Sequence, residues 1–147
     1  MTYSGKYPCK NPGKYRGDSH NICFRSLWER CVFRFCDENS DIVSWSSEET
    51  IVPYICKTDG RPHRYFVDLK ITLKNGQTYL IEIKPKKETL PPKQPARKTR
   101  RYVQEVLTYV KNTSKWNAAE KYAKDRGWLF EVWHEDTLKK LGIKLLT

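Results

Sequence analysis

Between Tyr65 and Ile83 the apolar residues fall on odd numbers: Tyr65, Val67, Leu69, Ile71 and Leu73, then Tyr79, Ile81 and Ile83. Side chains alternate across a sheet, so this period of two predicts a β-hairpin over about residues 64–84. Directly paired residues share a face. For both apolar sets to lie together, paired numbers must add to an even sum. A two-residue Asn75-Gly76 turn pairs Lys74 with Gln77, an odd sum, and throws the apolar set of one strand against the polar set of the other. A three-residue loop, Lys74-Asn75-Gly76, pairs Leu73 with Gln77 and restores the parity, with glycine at the left-handed position. In that register Asp68 faces Glu82, and Lys84 points to the same face one pleat further on. Opposed Cβ atoms sit ~4.5–5.5 Å apart.

Elsewhere the period lengthens. "RSLWERCVFRFCDEN" carries Leu27, Trp28, Cys31, Val32, Phe35 and Cys36 on one stripe of a helix. Ser26 and Glu29 have the spacing of a capping box. At ~100° per residue, Glu29 falls between Phe33 and Cys36, away from Arg30 and Arg34. "IVSWSSEETIVPYIC" reads as broken strand, with Pro53 at an edge or bulge. Tyr102, Val103, Val106, Leu107, Tyr109 and Val110 predict one helix. A second is expected from Ser114 or Lys115 to Arg126, with Gly127 as its left-handed cap. "WLFEVW" reads as a strand, and Asp136 is placed to cap a last short helix ending at Gly142. The order predicts an α/β fold, a mixed β-sheet flanked by helices, in one domain over 1–147. Residues 1–21, polar and rich in Gly and Pro, are expected to form an extended basic arm. "PKKETLPPKQPARKTRR" predicts a basic, proline-rich loop over about 85–100. Trp116, Trp128 and Trp133 are assigned to the core, and Trp45 is left open between core and surface.

Charge adds a partner to this picture. Lys and Arg number 28 against 17 Asp and Glu, a net charge of +11 that suits a polyanion, most simply nucleic acid. The surplus is concentrated in residues 84–101, where eight basic residues face Glu88 alone. Lys86, Lys87, Lys93, Arg97, Lys98, Arg100 and Arg101 are the candidate contacts to DNA backbone phosphates. No apolar run is long enough to span a membrane, and the start lacks the apolar core of a signal peptide, so a cytoplasmic protein is expected. Five cysteines without a CxxC pair and three scattered histidines indicate neither a disulfide framework nor a zinc site. Two readings of Asp68 and Glu82 stand side by side. Alternating charges on a strand mark a solvated face, with Lys70 and Lys84 as balance. Alternatively, opposed like charges call for a cation between them, and oxygen ligands suit Mg²⁺, which could also take the backbone carbonyl of Ile83. The adjacent basic loop and the inward-turned Glu29 weigh towards the second, although Glu29 also has its capping role.

Asp68, followed on the next strand by Glu82-Ile83-Lys84, resembles the PD-(D/E)xK nuclease core, and a preceding helix carrying Glu29 fits it. Val67 stands where the motif's name has Pro. The blocks "YSGK", "KYRGD", "RSLWE", "RYFVD", "IEIKPKKET" and "KWNAAEKYAKDRG", in this order, resemble the head-completion nucleases of T-even-like tailed phages. A more distant similarity is to the nuclease subunit of a heteromeric bacterial transposase. The resemblance implies a restriction-endonuclease-like core and a virus-encoded, metal-dependent DNase, endonucleolytic and also exonucleolytic. It implies action late in assembly, on packaged DNA before heads join tails, in the host cytoplasm at the capsid, with head, portal or neck proteins as partners. The catalytic set it implies is Glu29, Asp68, Glu82 and Lys84. Asp68, Glu82 and the Ile83 carbonyl, with Glu29 as a further ligand, would hold Mg²⁺, for which Mn²⁺ substitutes. Lys84 would orient or deprotonate the attacking water. The rivals are a non-catalytic DNA-binding head-assembly protein, which needs no metal, and a structure-selective nuclease for branched DNA. An RNase is a third rival, which the sequence leaves open, although no aromatic RNA-recognition motif favours it.

Overall fold

A computed structural model describes residues 4–145. In chain order the strands and helices are β1 (Gly5–Lys6), β2 (Cys23–Phe24), α1 (Leu27–Glu38), β3 (Ile42–Ser47), β4 (Ile51–Ile55), β5 (Pro62–Phe66), β6 (Leu69–Leu73), β7 (Thr78–Ile83), α2 (Arg100–Asp125), β8 (Leu129–Trp133) and α3 (Glu135–Lys140). The central sheet has the order β3-β6-β7-β8; β8 runs parallel to β7, and the other neighbours are antiparallel. Helices cover both of its faces, so adjacent residues Leu80 and Ile81 of β7 are both fully buried. Ile81 packs with Val32, Phe33 and Cys36 of α1. Leu80 packs with Ala119 and Ala123 of α2. This is the mixed sheet flanked by helices that the pattern predicts.

The hairpin register is the expected one. Leu69 pairs with Ile81 and Ile71 with Tyr79. The Leu73 amide donates to the Gln77 carbonyl at 2.9 Å, which closes a three-residue loop, and Gly76 takes φ +89°. A Cβ at that φ is strained, so glycine and the parity of the apolar residues select the same loop.

The first strand differs from expectation. The run from Tyr65 to Leu73 is not one strand, because the chain bends at Val67–Asp68. Upstream, β5 pairs only with β4 in a separate two-stranded ribbon, which is where Pro53 finds its edge. The bend carries the odd-numbered stripe from one core to the other. Tyr65 and Val67 pack with Leu80 and the α2 side, while Leu69 and Ile71 pack with Trp45 and the α1 side. A sheet buried on both faces leaves no polar interruption to mark such a crossing.

Three further expectations are corrected. The two helices expected after the basic loop are one, α2, of 26 residues, or ~39 Å. Asn112, Thr113 and Ser114 read as a break, yet the helix absorbs them. Thr113 Oγ1 and Ser114 Oγ donate to the Val110 carbonyl at 3.0 and 2.8 Å, and Ser114 Oγ also accepts from the Lys57 amide at 3.4 Å. The proline-rich loop therefore stops at Thr99, whose hydroxyl caps α2, and Arg100 and Arg101 are helical. Second, the N-terminal segment is built into the core rather than standing off as an arm. Tyr7, Tyr15 and Ile22 are buried, and Tyr15 lies edge-on to Trp45 at 4.7 Å. That cover explains why Phe33 and Asp37, off the expected stripe of α1, are buried as well. It also settles Trp45 as a core residue. Third, α3 is capped by His134, whose Nδ1 accepts from the Asp136 amide at 3.2 Å, and not by Asp136.

Candidate active site at the sheet bend

The bend that interrupts the sheet sets Asp68 beside the end of β7. The Ile83 amide donates to Asp68 Oδ2 at 2.9 Å, so the carboxylate is held against the neighbouring strand. Glu82 is 7% exposed although it is ionisable, and its Oε2 accepts from the Tyr65 hydroxyl at 2.5 Å. Lys84 follows immediately; its amide bonds the Trp133 carbonyl at 3.0 Å, which fixes the backbone there. Its Nζ lies 3.7 Å from Glu82 Oε1. Burial first, and then the Glu82 charge, push the Asp68 carboxyl well above the ordinary carboxylate range; the Ile83 amide offsets this only in part.

Glu29 approaches from the first turn of α1. Its amide donates to Ser26 Oγ at 3.2 Å, as the capping box requires. Its own carboxylate accepts from the Arg25 amide at 3.3 Å, one residue further back than the box predicts. Burial raises the Glu29 carboxyl, with Glu48 and Glu82 adding to the effect against the Arg25 bond. Asp68 in turn feels both Glu82 and Glu29. The structure therefore brings Asp68 and Glu82 together with Lys84 beside them, while Glu29 is near enough to act on their charge but does not join them in one tight cluster of donor atoms.

Sequence reasoning missed Tyr65, Lys115 and Glu48. Tyr65 belongs to the apolar stripe, and only its hydroxyl hinted at a polar partner. Lys115 on α2 has its Nζ 5.5 Å from the centre of the Tyr65 ring. Burial lowers the pKa of Lys115, and Glu82, Lys111, Lys84 and Asp68 all act on its charge. Glu48 is the one non-glycine residue with positive φ (56°) among those described, and its amide bonds the Asp68 carbonyl at 3.3 Å. No local pattern marks either residue.

The donor set fits a hard cation. Ile83 and Tyr65 engage one oxygen each of Asp68 and Glu82; the second oxygen of Asp68 remains for a shared proton or ion, and that of Glu82 meets Lys84 Nζ only at a long 3.7 Å. Buried like charges of this kind suit Mg²⁺, which prefers oxygen ligands. A different trio, Cys56, Asp59 and His63, lies at the turn between β4 and β5, with donor atoms within 4.8 Å of one another. The sequence spacing gave no sign of it. His63 Nε2 and Asp59 Oδ2 already pair at 2.8 Å, and Cys56 Sγ meets Thr58 Oγ1 at 2.9 Å, so each donor already has a partner. A thiol and an imidazole suit zinc rather than Mg²⁺.

The seven candidate DNA contacts are all exposed. Lys86 pairs with Asp136 at 3.3 Å and Arg101 with Glu105 at 3.1 Å. Among the described residues no acid lies within ion-pair distance of Lys87, Lys93, Arg97, Lys98 or Arg100. No helix among the described residues is long and apolar enough to cross a membrane.

A helix-flanked mixed sheet with paired acids and a lysine at one end defines a restriction-endonuclease-like protein. Residues 39–135 match the family model described as TnsA-like endonuclease N terminal, and the chain belongs to that family. It is 45% identical to the head completion nuclease of Enterobacteria phage T4 over 148 residues, which covers 98% of this chain and 99% of that protein. No solved structure matches.

Proposed function

We propose that this protein is a metal-dependent deoxyribonuclease that processes DNA during phage head completion. The observation that carries the reading is the buried Asp68–Glu82 pair with Lys84 beside it. A protein that only bound DNA would have no use for two acids turned inward under a strongly basic surface. The family and the T4 relative support the same chemistry.

Asp68, Glu82 and the Ile83 carbonyl would hold Mg²⁺ or Mn²⁺, with Glu29 as a further ligand or a water-positioning group. When bound, the ion supplies Lewis-acid polarisation of the phosphoryl oxygen and neutralises charge that develops there. Lys84 orients the attacking water and takes part in moving its proton. The Ile83 amide and the Tyr65 hydroxyl keep the two carboxylates in place. The basic residues of the loop and the start of α2 bind backbone phosphates, which gives affinity that depends strongly on salt and little on sequence. Cutting is endonucleolytic, with exonucleolytic action at ends. The partners are DNA and the head, portal or neck proteins of the virion, and the place of action is the host cytoplasm at the capsid.

Linear and circular duplexes incubated with Mg²⁺, with Mn²⁺ and with EDTA test this. Cutting with either metal and none with EDTA is expected. Asp68→Asn and Lys84→Ala should each lower cutting by at least ~10²-fold while DNA binding persists. Cutting in EDTA, or none with either metal, would sink the reading. Circular against linear substrate separates the two modes of attack, and a preference for branched DNA would move the activity to recombination or repair.

A further inference from the structure

The nuclease reading leaves a cluster of cations on α2 unexplained. Lys111 and Lys115 stand one turn apart on that helix. The positions three and four away from each are Leu107, Thr108, Asn112, Ser114, Ala118 and Ala119, none of them acidic. Like charges at this spacing destabilise a helix, and nothing on α2 offsets them. Lys115 is also part-buried, so its ammonium gives up some of its water. It lies over the Tyr65 ring, 5.5 Å from its centre, and the Tyr65 hydroxyl is bonded to Glu82, so the Lys115 charge is felt at the acid pair. Among the described residues it forms no ion pair with either acid. The Tyr65 hydroxyl already takes the Glu82 oxygen that an ammonium would otherwise seek. Lys84 already pairs with Glu82 at 3.7 Å, whereas Lys115, and Lys111 one turn before it, have no acid within ion-pair distance among the described residues. An anion is the group that satisfies these two, and beside Lys84 it would meet a third ammonium.

We propose that Lys115 is a second phosphate-binding ammonium of the active site, contacting the scissile phosphodiester from α2 while Lys84 contacts it from β7, with Lys111 on the adjoining phosphate. The assignment rests on the nuclease reading above, and it adds a substrate-contacting residue outside the β6–β7 hairpin. Two ammoniums from different elements would define where the reacting phosphate sits relative to Asp68 and Glu82.

Lys115→Met keeps most of the volume and removes the charge. Two quantities are read: turnover of a linear duplex with Mg²⁺, and binding of the same duplex in EDTA over a salt series. The variant should lose ~10²-fold in kcat, and its slope of log affinity against log salt should fall by ~0.9. Lys111→Met should raise KM more than it lowers kcat. Lys115→Arg should keep the wild-type slope, because the charge is retained. Melting temperatures are measured first, and Lys115→Gln replaces the Met variant if that one does not fold. A neutral variant with wild-type kcat and wild-type slope overturns the proposal, because a residue that merely props Tyr65 would behave so. If the wild-type protein cuts nothing, the nuclease reading fails, while the slope still reports whether Lys115 meets a phosphate.

Discussion

Asp68 and Asp37 show how one residue type acquires opposite acid–base behaviour from its surroundings. At Asp68 burial and the Glu82 charge raise the pKa, so the metal-free folded protein holds a proton that the unfolded chain would release. That contribution to stability is complete below the ordinary carboxylate pKa and is lost as pH rises through the raised folded value. At Asp37 burial also works against the charge, but the Lys10 and Asn11 amides and the Tyr7 hydroxyl, at 2.7–3.0 Å, outweigh it and lower the pKa. There the contribution is present above the ordinary value and is lost as pH falls through the lowered one. Denaturant unfolding in EDTA should therefore show Asp68→Asn gaining stability over wild type as pH rises. Asp37→Ala should lose ~2–3 kcal/mol near neutrality, because a buried hydroxyl and two part-buried amides lose their acceptor. A variant at Asp68 that tracks wild type at every pH would show that the pair is not strained by its own charge. Of the residues in the candidate site, Asp68, Glu82, Lys84 and Glu29 were legible because alternation and helical angle assign faces. Tyr65 and Lys115 were not, because a contact between β5, β7 and α2 leaves no period in any one of them.

At the scale of elements, the three-residue loop of the β6–β7 hairpin decides whether Asp68 and Glu82 meet. Its parity was readable, since a two-residue turn would set apolar residues against polar ones across the ladder. Replacing Lys74-Asn75-Gly76 by Asn-Gly alone gives a stronger isolated turn signal and the wrong parity. That deletion should abolish cutting and lower the melting temperature, whereas inserting two residues at the same place should preserve both far better. Equal activity of the two would mean the register is not set by the loop. The bend before β6 and the continuity of α2 were not legible, for one reason. Both depend on what covers the chain from outside: α2 lets Tyr65 and Val67 remain buried after the crossing, and the Lys57 amide takes up Ser114.

For the whole molecule, the net charge of +11 is spread unevenly, and the structure divides the basic cluster further. Lys86 and Arg101 are already paired with acids of the same surface. Lys93, Arg97 and Lys98 stand in the loop before α2 without acidic neighbours among the described residues. Replacing these three with Ala should reduce the salt slope of DNA binding by up to ~2.7, at ~0.9 per phosphate contact. Replacing Lys86 and Arg101 should reduce it by less per residue, since breaking an existing ion pair offsets part of the gain. A titration of duplex affinity against salt distinguishes the two sets, and equal slopes for the triple variant and wild type would remove the loop from the DNA interface.

The order of helices and strands pointed to the mixed sheet, and alternation along Tyr65–Ile83, by itself, determined the hairpin register and therefore the facing of the two carboxylates, because side-chain direction in a strand is a local property of the backbone. The tyrosine on Glu82, the lysine over that tyrosine and the burial of Tyr7 and Tyr15 were decided only by tertiary structure. They are meetings of elements far apart in the chain, and packing chooses such meetings by shape and by unsatisfied polar groups, neither of which is written in the period of any single segment.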